Sequence, residues 1–517
     1  MDTWRNIRVR RTALWLHALG AFGAVLGYGS PAEAVEPEVT FDTAAQFYEV
    51  RGPTGETILA RRRLTTTLGA AVYDLIDTTD NPNGPSLTFR TRMRYDADYG
   101  AAGAEADPGV ASYGRFAPGF DRGPVDLMYG YVEGRKFLNG WLGFKVGRQY
   151  QVDALGWWSF DGGLVKVTTP FYVAAELYGG LEQRGGMPLA TPRYERDGIW
   201  RGNRSDFDPN LYPSFQPNDI APAYGVAVES SGVTWLHGRL SYRRVYNTGA
   251  SSTSAFANHL RTSTVYDGSR VSQERIGYAM DASHPDIGGV KAGLVYDQYA
   301  GQFSNIYASV DGYVSRKVTL SADYDYFLPT FDGDSIWNFF MAMPMNDVGL
   351  RASWDVTEKL GVAAGAHARL FTLTTGPEEK LEEDTSPNGL AAGNYYPASK
   401  LEAAGGGNLT ARYRFGEGVY GARAIGDTGR QGDRFGVDVY GERTLETRYV
   451  FQGRTGVWHW DDRLRPDRDA YGFQYVLGAG YKVFPRSLAL AEFEHDINRI
   501  GGQRFRVMLW LSVAVTK

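Results

Sequence analysis

The chain of 517 residues contains no cysteine. It can therefore form no disulfide bond, and it cannot hold a c-type haem or an iron–sulfur cluster on thiols of its own. No other residue pattern indicates a prosthetic group. We expect no cofactor.

Long apolar runs are missing after the first 34 residues. No later segment has the eighteen or more continuous apolar residues of a membrane-spanning helix, and the mean hydropathy is −0.34. These features exclude a helical membrane protein. An excess of basic residues is missing too: the formal net charge is −5, which gives no indication of a nucleic-acid partner.

Catalytic motifs are also missing. The chain has no GxSxG elbow, no Walker loop and no HExxH pair. Gly333-Asp334-Ser335 is similar to a lipase-type nucleophile block, and Asp281 with His284 is similar to its partner, but their order along the chain is reversed for that family. We expect no enzyme, with a hydrolase active at a barrel rim as a minor alternative.

One acidic stretch could bind a divalent cation, although a solvated loop explains it more simply. Its carboxylates are Asp461, Asp462, Asp467 and Asp469. We predict no metal site.

The N-terminus has the pattern of a Sec-type signal peptide. Four arginines (Arg5, Arg8, Arg10 and Arg11) precede a largely apolar stretch over 13–26, and Ala32-Glu33-Ala34 fits a small-x-small cleavage site. Cleavage is expected after Ala34. It would leave residues 35–517 as one domain of net charge −7, because four arginines and the two acids Asp2 and Glu33 are lost.

The sequence pattern of the rest of the chain predicts β-strands alone. Strand-like segments of about ten residues follow one another from residue 40 to the C-terminus, and we count 22 of them. Short turns such as Asn139-Gly140 alternate with long polar connections such as 181–221 and 374–403. This asymmetry is typical of outer-membrane barrels. The predicted fold is an all-β, transmembrane, antiparallel up-and-down β-barrel of about 22 strands, within a range of 18 to 22.

Residues 86–99, SLTFRTRMRYDADY, show what the two faces of such a barrel require. Side chains alternate between the faces of a strand, and a spanning β-protein must be a closed barrel with an apolar outside. We therefore expect Leu87, Phe89, Met93 and Tyr95 to face lipid. The predicted lumen-lining residues are Arg90, Arg92, Arg94, Asp96, Arg239, Arg243, Asp323, Asp325, Arg351, Glu492, Glu494, Arg504 and Arg506.

Two interpretations of these charges remain open. Neighbouring strands of opposite sign can satisfy one another, which is the simpler account for Glu492 and Glu494 beside Arg504 and Arg506. The three arginines between 90 and 94 have less obvious local partners and could form an electropositive constriction that selects anions or acidic polymers. Aromatic pairs near strand ends, at 129 and 131, 157 and 158, 324 and 326, and 458 and 460, are predicted to form the interfacial girdles.

Residues 141–165, WLGFKVGRQYQVDALGWWSFDGGLV, resemble a segment of the alginate-export family of outer-membrane porins. In that family a strand ending in Gly-Arg-Gln, here 147–149, precedes an aromatic loop and a strand that opens with Phe-Asp-Gly, here 160–162. The resemblance implies an 18-stranded, electropositive exporter of an acidic polysaccharide.

These observations together predict a channel in the outer membrane of a Gram-negative cell. Its work would be passive diffusion of small solutes or export of an anionic polymer such as a polysaccharide, with outer-membrane lipid around it. A second hypothesis is a structural sheath around a periplasmic partner protein such as a multihaem cytochrome, which would have to supply all the haem.

Overall fold

The structure is a computed structural model. It describes residues 36–76, 81, 84–98, 125–183, 221–248, 268–330, 343–374, 399–429, 432–463 and 469–516. The predicted signal peptide, the Gly333-Asp334-Ser335 block and Asp467 lie outside these residues, as does most of each long connection.

The described residues form 22 strands. They are β1 Glu36–Arg51, β2 Thr57–Tyr73, β3 Ser86–Asp98, β4 Val125–Phe137, β5 Leu142–Asp153, β6 Gly156–Thr168, β7 Val173–Glu182, β8 Pro222–Ser230, β9 Leu236–Asn247, β10 Arg270–His284, β11 Gly288–Asp297, β12 Gln302–Ser315, β13 Val318–Phe327, β14 Met345–Asp355, β15 Leu360–Thr374, β16 Ser399–Phe415, β17 Gly418–Gly429, β18 Gly432–Leu445, β19 Tyr449–Asp462, β20 Ala470–Tyr481, β21 Ser487–Asn498 and β22 Gly502–Thr516. Each predicted segment overlaps one of these strands, so the predicted number of 22 is confirmed. The 18 strands implied by the alginate-export resemblance are wrong for this chain.

Every strand pairs antiparallel with its neighbours in sequence, and the sheet closes on itself. β1 pairs with β22 in an unbroken register from Glu38 opposite Thr516 to Arg51 opposite Gln503. Closure gives every strand a neighbour on both sides, which is the condition for a sheet to exist in hydrocarbon.

The connections differ between the two ends of the barrel. The five longest, over 99–124, 183–221, 248–269, 328–344 and 375–398, all lie at one end, here named the loop rim. The other end, the turn rim, has connections as short as the two residues 316–317 between β12 and β13. At this rim Asn139 and Gly140 have φ values of 59° and 90°, a left-handed conformation that these residue types adopt readily. The predicted asymmetry is confirmed.

Contacts that skip a strand identify the concave, inner face. Arg92 on β3 donates to Asp42 on β1 at 2.7 Å, and Gln452 on β19 donates to Glu492 on β21 at 2.7 Å. Side chains two strands apart meet only where they converge. From these contacts, the registers between neighbouring strands identify the inward-facing residues of every other strand in the barrel.

The outer face is apolar. It exposes large side chains such as Val146, Leu177, Leu350, Val437 and Leu509 on strands all round the barrel. In water so extensive an apolar surface would cause association, whereas in a bilayer it is the expected exterior. No helix within the described ranges is long and apolar enough to cross a membrane.

The predicted aromatic girdles are only partly present. Tyr324 and Tyr326 face outward, as does Trp157, whereas Tyr131 and Trp158 are buried on the inner face. Tyr129 shares the inner face with Tyr131. Trp458 and Trp460 also lie inside, on the same face as Asp438 across the β18–β19 ladder. The prediction was wrong for these five rings because proximity to a strand end says nothing about which face a residue occupies.

Candidate pore constriction

The β5–β6 hairpin bends into the barrel. Its ladder ends at Asp153 opposite Gly156, so the tip is the two residues Ala154 and Leu155. Leu155 is 6% exposed, and its Cδ2 atom lies 2.7 Å from where a Cβ on Gly277 of β10 would stand. Because β10 is four strands beyond β6 and Gly277 faces inward, the hairpin tip crosses the lumenal face of the wall.

The two strands of the hairpin leave the wall at defined residues. β5 pairs with β4 only as far as Arg148, and β6 pairs with β7 only from Phe160 onward. Gly147 at this point has φ 126°, and a Cβ on Gly162 would lie 2.1 Å from the carbonyl oxygen of Gly179. Only glycine permits this backbone conformation and this close approach. The Gly-Arg-Gln and Phe-Asp-Gly tripeptides therefore lie at the bend.

The covered wall has an apolar core on its lumenal side. Trp158 and Phe160 stack at 4.4 Å between ring centroids, and both rings contact Tyr178. Leu164 and Val245 belong to the same cluster, in which Phe160 is 0% exposed. Burying each such side chain stabilises the fold by about 1.5–3 kcal/mol. This core holds the hairpin against the wall.

Arg243 fastens the tip. Its Nη2 atom donates to the carbonyl oxygen of Leu155 at 3.1 Å and to Gln273 at 3.2 Å, and its guanidinium lies over the Trp158 ring at 5.2 Å. The residue is 2% exposed. We predicted Arg243 as a lumen-lining residue. It is on the lumenal face, but the hairpin covers it, so no solute reaches it.

Arg239, four residues earlier, belongs to an ion-pair cluster of mixed sign. It donates to Glu176 at 2.6 Å and to Glu229 at 2.5 Å, and Lys166 contacts both carboxylates. The cluster therefore neutralises itself, as the cross-strand interpretation predicts.

The arginine ladder of β3 has more partners than its sequence suggested. Arg92 donates to Asp42 and to Thr67, each at 2.7 Å, and Arg90 lies over the ring of Tyr73 at 5.2 Å. Arg94 shares their inward face. The backbone of Asp96 continues β3, but its side chain is outside the described part of the structure. No local pattern indicated Asp42 as a partner, because it lies two strands away and 50 residues earlier in the chain.

Acidic side chains line the opposite wall. Asp323 and Asp325 on β13 face inward and form no ion pair with another described residue, and Asp325 stands opposite Asp347 of β14. Asp347 pairs with Arg369 at 2.7 Å. Arg351 also faces inward, on β14 like Asp347, and belongs to the β13–β14 ladder.

The basic and acidic ladders face each other across the lumen. β3 and β13 are ten strands apart in one direction and twelve in the other, in a ring of 22. Counted from the turn rim, Arg90 to Arg94 are the fifth to ninth residues of β3, and Asp323 and Asp325 are the sixth and eighth of β13. The two ladders therefore lie at similar heights on opposite sides of the lumen.

The remaining predicted residues are joined by ion pairs. Arg504 donates to Glu494 at 2.6 Å and also contacts Asp496, while Arg506 lies 3.5 Å from Glu492 and contacts Glu494. These hairpin partners form the cross-strand pairs expected for this group.

Asp281 and His284 of the hydrolase alternative lie on opposite faces of β10. Asp281 faces inward on β10, opposite Lys291, whereas His284 lies at the strand end on the outer face. Within the described residues no three acidic or histidine side chains are grouped to hold a metal ion.

Sequence reasoning missed the hairpin itself, and with it Leu155 and Tyr178. A signal was present. The connection between β5 and β6 is short among long neighbours at the loop rim, and Trp158, Phe160 and Leu164 occupy positions where alternation places lumenal side chains. Apolar residues on a wet face indicate that something covers them.

No family model matches the chain, and no curated protein matches it. Among solved structures it is similar to Acinetobacter baumannii OccAB4, with 7% identity, 94% of this chain and 100% of that chain covered, and a TM-score of 0.42. It is also similar to Pseudomonas aeruginosa OpdK, crystallised with vanillate, with 9% identity, coverage of 94% and 99%, and a TM-score of 0.40. For A. baumannii OccAB3 the identity is 11%, the coverage 93% and 99%, and the TM-score 0.41. Likenesses this distant carry no argument about function, and they give no specific support to the alginate-export resemblance.

Proposed function

We propose that the chain forms a water-filled channel in the outer membrane through which small hydrophilic solutes diffuse passively. The observation that carries the proposal is the division of the closed barrel into an apolar outer face and a charged inner face. A wall of this kind needs lipid on one side and water on the other. The long connections of the loop rim would face the outside of the cell, and the predicted signal peptide would direct export.

The inward hairpin and the two charged ladders determine which solutes pass through the channel. The hairpin occupies part of the lumen beside β9 and β10, so the free cross-section lies between the hairpin, the arginines of β3 and the aspartates of β13. A solute there experiences opposite charges on its two sides. Selectivity then depends on size and on the arrangement of charge within the solute.

Two finer hypotheses have less support. An acidic polymer such as alginate would meet the carboxylates of Asp323 and Asp325 opposite the arginines, so the lumen as a whole is not electropositive. A sheath for a partner protein requires an empty lumen, and the hairpin already fills part of it. A channel for small solutes accommodates both features.

Single-channel recording tests this proposal. The protein is residues 35–517, refolded in detergent and inserted into a planar bilayer, with the anion-to-cation permeability ratio taken from the reversal potential in a salt gradient. We expect a stable ohmic conductance with weak ion selectivity. A barrel that folds, as judged by circular dichroism, yet conducts nothing would overturn the channel and favour the sheath.

A further inference from the structure

The inner wall of β16–β22 carries a cavity that the transport proposal does not use. It measures about 720 Å³ and lies against the open side of the lumen, away from the hairpin. Its polar lining includes Asp438, Tyr440, Gln452, Arg454 and Glu492. The cavity is large enough for several linked sugar rings and is lined by groups that can both donate and accept hydrogen bonds.

Charge in this cavity is close to balanced. Three arginines (Arg423, Arg454, Arg506) face four carboxylates (Asp438, Glu442, Glu492, Glu494). Asp438 is 3% exposed and accepts from Arg423 at 3.0 Å and from Arg454 at 2.8 Å. Paired groups of this kind offer directional hydrogen bonds with little net field, which suits a neutral ligand better than an ion.

Aromatic rings lead into the cavity from the loop rim. Trp458 lies over Gly436, where its Cε3 atom would be 1.9 Å from an added Cβ. Tyr440 lies deeper and lines the cavity itself, where its ring covers Gly421 with Cζ 2.3 Å from an added Cβ. Trp460 lies next above Trp458 on the same face and packs near Gly472. Because Gly436 and Gly472 leave room for the two tryptophan rings against the wall, Trp458 and Trp460 line the way from the loop rim to the cavity.

We propose that this wall, from Trp460 and Trp458 down to the Arg423–Asp438–Arg454 cluster, is a binding site for a neutral, hydroxyl-rich solute, a linear oligosaccharide. Sugar rings have an apolar face that packs on an aromatic ring and hydroxyls that donate and accept at once, which matches the order of groups along the wall. The inference deepens the proposed function and rests on it for access to the site.

Binding and block are measured on the full barrel with maltotetraose as the probe. Isothermal titration calorimetry is done in an amine-oxide detergent, since a maltoside would compete, and block of the single-channel current is recorded in parallel. We expect saturable binding and reversible block. In Trp458→Ala/Trp460→Ala and in Asp438→Asn the dissociation constant should rise about tenfold, equivalent to about 1.4 kcal/mol.

Trp510→Ala is the matched control, because Trp510 is also a lumenal tryptophan but lies four residues beyond Arg506 on β22, nearer the turn rim, and does not line the cavity. It should bind maltotetraose as the unmodified barrel does, and circular dichroism verifies the fold of each variant. No binding by the unmodified barrel, equal losses in Trp510→Ala, or tighter binding of tetragalacturonate than of maltotetraose would overturn the inference. Conductance without maltotetraose binding would refute this site alone, whereas binding without conductance would refute the channel alone.

Discussion

The two halves of the inner wall follow the same strand alternation and have different chemistry. On the part of β4–β11 that the hairpin covers, lumenal positions hold buried side chains such as Phe160, Tyr178 and Val245, while the ion pairs of Arg239 lie nearer the turn rim. On β12–β22 and β1–β3 they hold charged side chains in water, among them Asp325, Arg351 and Arg92. Inward position alone therefore does not make a residue part of the wet lumenal surface. What covers the position decides whether a core or a wet surface forms there.

The largest expected effect comes from removing the core of the covered half. Phe160→Ala should lower the free energy of unfolding by about 3–5 kcal/mol, because a fully buried ring leaves a cavity. The loosened hairpin should also raise the single-channel conductance. Urea unfolding in detergent and planar-bilayer recording measure the two effects. Val476→Ala on the open wall is the comparison, and an equal loss there would remove the distinction between the halves.

The next effect concerns Arg243 and Arg351, which strand alternation alone assigns to the same inner face. Arg243→Met removes the hydrogen bonds that fasten Leu155 and should cost about 1.5–3 kcal/mol of unfolding free energy, with noisier current as the tip moves. Arg351→Met, on the open wall, should change stability little and shift ion selectivity instead. Thermal unfolding and current noise are the measurements. Reversed behaviour of the two variants would contradict the assignment of Arg243 to the covered half.

A smaller effect tests the two charged ladders across the open lumen. Replacing Arg90, Arg92 and Arg94 with Gln should lower the anion-to-cation permeability ratio, and Asp323→Asn/Asp325→Asn should raise it. Each change should be about threefold, since a partly screened charge is worth at most ~1 kcal/mol at 4 Å. The effects should shrink in 1 M salt. Shifts of the same sign in both variants would show that the ladders do not face a common pathway.

The smallest effect is expected outside the lumen. Arg51 and Glu49 form an exposed pair at 2.6 Å on the outer face near the loop rim. Arg51→Gln should change the free energy of unfolding by less than ~1 kcal/mol, because exposed ion pairs contribute little. Conductance should stay the same. A clear change in conductance would indicate that the rim, rather than the hairpin and ladders, controls the pore.

Much of the fold could be predicted from the sequence alone, because strand alternation and connection length are local signals. The two-residue period of a β-strand was enough to assign the arginines of β3, and likewise the aspartates of β13, to the inner face. Their pairing could not, since Asp42 meets Arg92 only after the barrel has closed. The position of Leu155 against Gly277 depends on contacts between residues 122 positions apart in the chain, and no local pattern encodes such a distance.

The most direct test of the inward hairpin uses the absence of cysteine. Leu155→Cys/Gly277→Cys places a thiol pair where the Leu155 Cγ atom lies 3.3 Å from an added Cβ on Gly277, within the range of a disulfide. The single-channel conductance of the oxidised protein is recorded before and after reductant, with the cross-link verified by mass spectrometry. We predict that the disulfide forms on refolding and that reduction leaves the conductance unchanged, because the tip already occupies that position. Failure to form the cross-link, or a large rise in conductance on reduction, would contradict a hairpin that rests inside the barrel.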